Sequence, residues 1–218
     1  MSSAVIQLIV LAAIAIFLIL RLKNVLGTRD GFEKPVSVER PDPARAPEDD
    51  IIEHGPDRDI VDHVAEGSPA AAALAAMKRE EPGFGVGDFL QGARSAYEMI
   101  LMGFENGNLD QIRAFLSPDV LAAFEQAIAA RQARGLAVHS EFHGLRELVL
   151  QDATFDVATK EAELTIRFGA ELLSTAKDAS GTVVEGDPRA PRKQRDVWTF
   201  ARKMGSADPN WQLVATGA

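Results

Sequence analysis

Hydrophobic and polar positions divide this chain into stretches of different period. Ser2 to Leu20 carry no charge, and Gln7 and two serines are their only polar side chains. A helix of nineteen residues rises about 29 Å at ~1.5 Å per residue, which matches the hydrocarbon core of a bilayer. The run therefore predicts a transmembrane anchor over residues 1–22. A removable signal peptide would carry basic residues before the apolar run, and here the cations Arg21 and Lys23 come after it. Cations at that end predict that the rest of the chain faces the cytoplasm.

The apolar pattern then disappears. Residues 29–66 hold twelve acidic side chains against five basic ones, with five prolines and few large apolar residues. Such a stretch cannot bury enough surface to offset the entropy of ordering, so residues 23–67 are expected to be a disordered acidic linker. Ser68 as an N-cap, Pro69 at the first helical position and Pro82-Gly83 as a stop predict a short lead-in helix over 68–82. Its Leu74 and Met77 are expected to lean on the folded domain; the alternative is that they touch a membrane or a partner.

Helical periodicity is strong from residue 84 onward. Phe89, Leu90, Ala93, Ala96, Tyr97, Ile100, Leu101 and Phe104 form one broad stripe, closed by Gly107. A short helix should follow, then a break at Ser117-Pro118 and a longer helix through Leu121, Phe124 and Ile128 to Gly135. Beyond that the period changes to two. In "EAELTIRFG", Ala162, Leu164, Ile166 and Phe168 alternate with Glu161, Glu163, Thr165 and Arg167, as in a half-buried antiparallel strand. "LRELVLQDATFDVA", "QRDVWTFARKM" and "NWQLVATG" are further strands, with turns at Gly181-Thr182 and at Ser206 to Pro209. Helices followed by consecutive strands predict an α+β domain over 84–218, in which helices pack on a curved antiparallel sheet.

Composition narrows the function classes. The formal charge of -9 argues against nucleic-acid binding, and the absence of cysteine removes disulfides and thiolate metal sites. His54 and His63 fall in the acidic stretch. His139 and His143 flank "SEF" at a loop-to-strand junction without the glutamate of a zinc-protease helix, so no metal or cofactor is expected. Ser117 and Ser140 lie in no nucleophile motif, and no glycines form a phosphate loop.

The order of elements, with "FLQGARSAYEMILMGFENGNLDQIRAFLSPDV" and "DVWTFARKMGSADPNWQLVATG", resembles the Tim44-like domain family. That family comprises a matrix-side subunit of the mitochondrial inner-membrane translocase and bacterial membrane-anchored TimA-type adaptors. The resemblance implies a cone like that of nuclear transport factor, and a non-enzymatic adaptor with a protein partner in translocation, assembly or quality control. It also implies placement on a bacterial inner membrane with the domain cytoplasmic. Motor tethering transfers poorly, because the long basic coiled region of the mitochondrial protein is missing. Cone folds also host isomerases and dehydratases, which leaves a tethered small-molecule-binding protein or enzyme as the alternative.

Two sets of residues are candidate sites. Arg189, Arg192, Lys193 and Arg195 form a basic run suited to anionic headgroups, a role that the family's peripheral cardiolipin binding also implies; a solvated hairpin arm is the other reading. Tyr97, Trp198 and Phe200 are candidates to line a pocket, or else belong to the core.

Overall fold

A computed structural model describes residues 56–217. The anchor expected at 1–22 and the linker up to residue 55 lie outside these residues. Among the described residues, no helix is long and apolar enough to cross a membrane.

The element order is α1 (Arg58–Val61), α2 (Pro69–Glu80), α3 (Val86–Glu105), a 3-10 turn (Arg113–Phe115), α4 (Pro118–Ala133), β1 (Ala137–Asp156), β2 (Glu161–Lys177), β3 (Val183–Glu185), β4 (Arg192–Lys203) and β5 (Gln212–Gly217). The strands form one antiparallel sheet in the order β1-β2-β4-β5, and β3 pairs with the far end of β2. The fold is therefore α+β, with helices packed on an antiparallel sheet. Three register shifts interrupt β1, at Phe142/Gly144, Leu145/Glu147 and Leu150/Asp152. Each adds a residue to one strand only, which bends it and strengthens its twist.

The stripe read along α3 faces the sheet: Phe89, Leu90, Ala93, Tyr97, Ile100 and Leu101 are all buried. Opposite them lie Ala162, Leu164, Ile166 and Phe168 of β2, each fully buried. Alternation explains this directly, since every second side chain of a strand points to the same face. Gly107 adopts φ 69° and Gly135 φ 67°, the left-handed conformation that ends a helix and that only glycine adopts without strain. Between α3 and α4 the expected short helix is only a 3-10 turn, tied to the sheet where Ser117 N donates to Leu213 O at 2.9 Å.

Leu74 and Met77 of α2 are completely buried in the main core, so the lead-in helix leans on the domain as expected and neither side chain is offered to a membrane or a partner. One expectation needs correction. The acidic stretch, expected to be disordered up to residue 67, is folded from Asp57: α1 buries Ile60, and Lys78 bridges Asp57 and Asp59 at 2.7 Å each. The carboxyl of Asp59 also accepts from Val86 N at 2.8 Å and Gly87 N at 2.9 Å, so it caps α3 from 27 residues away. Mean composition misled here, because charges counted as solvating are spent on a lysine and on a helix N-terminus. Burial raises the Asp59 carboxyl, but the Lys78 ammonium and the two backbone N–H groups outweigh it and hold the group below the usual carboxylate range.

Candidate functional site

A cavity of about 430 Å³ opens at the N-terminal end of α3. Pro82-Gly83 ends α2 and turns the chain back, so that Phe84 folds inward beside the start of α3. Gly85, Gly92, Ala93 and Ala96 leave that side of α3 low, and Phe84, Phe89, Phe115 and Trp211 wall it. The aromatic rings support one another. Trp211 lies 4.8 Å from Phe89 at 63° and 6.0 Å from Phe84, which is within range for edge-on attraction.

One cation enters this apolar setting. Arg202 is 9% exposed, with its guanidinium 5.3 Å from the Trp211 ring centroid. Its Nη2 donates to Glu81 Oε1 at 2.6 Å, while Glu81 Oε2 accepts from Gly205 N at 2.9 Å. The hydrogen bond from Arg202, opposed by desolvation, holds the Glu81 carboxyl below its ordinary range. Arg202 Nε is buried and has no hydrogen-bond partner among the described residues. The other acid on the cavity wall, Asp88, is exposed at its mouth.

The structure places Tyr97, Trp198 and Phe200 elsewhere. All three are buried in the core, and none lines the 430 Å³ cavity. Tyr97 stacks on Phe168 at 4.3 Å and lies 4.7 Å from Trp198. Its hydroxyl donates to Asp196 Oδ2 at 2.6 Å, and Gln194 Nε2 donates to the same oxygen at 2.9 Å. Burial, reinforced by the neighbouring Asp196 carboxylate, pushes the Tyr97 hydroxyl far above the usual phenol range, so it stays protonated.

Arg189, Arg192, Lys193 and Arg195 are all exposed, but strand geometry divides them. Arg189 precedes β4. The β4 ladder is regular from Arg192 to Lys203, so Lys193 and Arg195 point to one face and Arg192 to the other, in phase with Trp198. Lys193 pairs in register with Glu171, whose carboxylate also accepts from Arg146 at 2.9 Å. The run is therefore not one uninterrupted basic face.

Two of the histidines belong to the sheet. His139 and His143 lie within β1 rather than at a junction, because the strand begins at Ala137; both are near Glu141, at 3.3 and 4.0 Å. Among the described residues no three ligating side chains come together. His54 lies outside the described residues. Ser117 caps α4, and Ser140 donates to Glu105 at 2.8 Å.

Arg202, Glu81 and Trp211 were missed as a group by sequence reasoning. One signal was available: Arg202 stands in phase with Trp198 and Phe200, so a charge occupies an inward position of an otherwise apolar strand face. Glu81, 121 residues earlier, had no such mark.

Among protein families, the model of the Tim44-like domain matches residues 70–218. No curated protein matches the chain. Among solved structures, the intermembrane space region of the chloroplast protein ARC6 is similar over 56% of this chain and 88% of that chain, with 13% identity and a TM-score of 0.37.

Proposed function

The chain belongs to the Tim44-like domain family, and on that premise we propose that it is a membrane-anchored adaptor which binds a protein partner, and anionic lipid as an accessory contact. In this reading residues 1–22 cross a bacterial inner membrane, the domain is a cone of the nuclear-transport-factor type, and it faces the cytoplasm. One observation carries the reading: Glu81 at the cavity and Tyr97 in the core are each held in one protonation state by a neighbour rather than poised between two. Glu81 is held ionised by Arg202, and Tyr97 is held protonated against Asp196. A general acid or base works best with a pKa near the operating pH, and here the pair moves away from it.

Photo-crosslinking from positions on the cavity rim, such as Asn210, in intact membranes tests the adaptor role. A discrete protein adduct is expected, and its absence from every rim position refutes the reading. Replacing Arg189, Arg192, Lys193 and Arg195 with glutamine is expected to abolish sedimentation with anionic vesicles at low salt, leaving the circular dichroism unchanged. Sedimentation that persists assigns these residues to a solvated arm. A C-terminal reporter active only in the periplasm overturns the cytoplasmic placement.

A further inference from the structure

A buried donor without an acceptor is uncommon in a folded protein, because burial removes its water and returns nothing. Among the described residues Arg202 Nε is such a donor, and it belongs to a side chain on the wall of the 430 Å³ cavity. Glu81 does not close the fork. It reaches Nη2 through Oε1 alone, and its other oxygen is taken by Gly205 N. An arginine engaged at one nitrogen by one oxygen retains the capacity for a second, planar acceptor.

The rest of the cavity specifies what should carry that acceptor. Its walls are the rings of Phe84, Phe89, Phe115 and Trp211, and its floor is the low side of α3. The volume lies within the range of small-molecule sites, which are mostly apolar with a few fixed polar groups. Flat ring walls favour a flat guest, since offset and edge-on ring contacts add to simple burial. Two anions share the wall with Arg202: Glu81, whose charge is already paired with it, and Asp88, which is exposed at the mouth and therefore screened, so Arg202 offers a guest its remaining N–H donors rather than an unopposed charge.

We propose that this cavity is a binding site for a small, flat, largely apolar carboxylate, with the rings of Phe89 and Trp211 holding its body and Arg202 donating to its carboxylate oxygens. The inference goes beyond the adaptor role and does not depend on it.

The test uses the full chain in phosphatidylcholine nanodiscs, with empty nanodiscs as the blank. 2-Naphthoate, neutral 2-naphthylmethanol and decanoate are titrated by calorimetry, and the Trp211 indole N–H resonance is followed in parallel. Naphthoate is expected to bind about tenfold or more tightly than naphthylmethanol and to shift the Trp211 signal. Arg202→Gln should reduce that preference to about one. Because that variant also strips Glu81 of its partner, a second variant guards against simple misfolding. A Cβ on Gly92 meets no atom of the described residues within 4 Å, so Gly92→Leu fills the cavity while leaving the Arg202–Glu81 pair intact, and it should abolish binding of both naphthyl probes. Equal affinity for the charged and neutral probes, no binding of naphthoate, or binding undiminished by Gly92→Leu overturns the proposal. Binding of decanoate in place of naphthoate also overturns it and assigns the cavity to an acyl chain.

Discussion

Replacing Asp59 with alanine tests how the segment ahead of α2 is fastened to the domain. The substitution deletes two interactions together: the acceptor for Val86 N and Gly87 N at the start of α3, and one of the two carboxylates around Lys78. Gly85, at the N-cap of α3, has no side chain to take over. Loss of a capping acceptor costs ~1 kcal/mol. The ion pair, with Asp59 32% and Lys78 21% exposed, adds ~0.5 kcal/mol after allowance for solvent screening. For a domain of this size ~1.5 kcal/mol lowers the melting temperature by about 3–6 °C. Asp59→Asn keeps an acceptor but loses the charge, and should lie about halfway. Differential scanning calorimetry gives the melting temperatures, and amide hydrogen exchange at Val86 and Gly87 reports the cap itself. Faster exchange at those two amides, and trypsin cleavage after Arg58, should accompany the shift. A melting temperature within about 1 °C of wild type, with unchanged exchange at both amides, would mean that Asp59 is not the cap of α3.

Tyr97→Phe removes the donor to Asp196 at 2.6 Å while retaining the ring stack on Phe168; a loss of ~1–2 kcal/mol in urea unfolding is expected, and an unchanged midpoint would contradict it. Two glycines of α3 should respond oppositely to alanine. Gly92→Ala enters open space and should stabilise by ~0.5–1 kcal/mol, whereas Gly103→Ala meets Ile112 Cγ2 at 2.9 Å and Asn108 O at 3.1 Å, and should destabilise by ~1–2 kcal/mol; equal effects in urea titrations would refute the contrast. Glu81 is held below its unfolded pKa, so its stabilisation is full above that value of ~4.3 and is lost as pH falls through the lower folded value. The stability gap between wild type and Glu81→Gln should therefore narrow below about pH 4, and a gap that widens on acidification would invert the assignment.

Elements whose signal is local were legible in the amino-acid order. The stripe from Phe89 to Leu101, the Ser68-Pro69 and Ser117-Pro118 helix starts, the helix-ending Gly107 and Gly135, and the alternation from Ala162 to Phe168 all follow from neighbours within a few residues. So did the α+β class, because helices preceding strands leave few ways to cover one sheet face. Tertiary structure alone decided the partners. Whether Asp59 was one more solvated charge or the cap of α3 depended on Val86 arriving beside it, 27 residues later. Whether the cations from Arg192 to Arg195 made one face depended on β4 beginning at Arg192, which places neighbours on opposite sides. Tyr97 read equally well as pocket or core until Asp196, 99 residues away, took its hydroxyl. The cavity joins α2, α3, β4 and the approach to β5, and its polar pair spans 121 residues. Local propensity is set by forces acting along the chain, and it cannot specify which distant backbone supplies the missing partner of a buried charge. Packing makes that choice, and among the described residues it left the buried Nε of Arg202 without an acceptor.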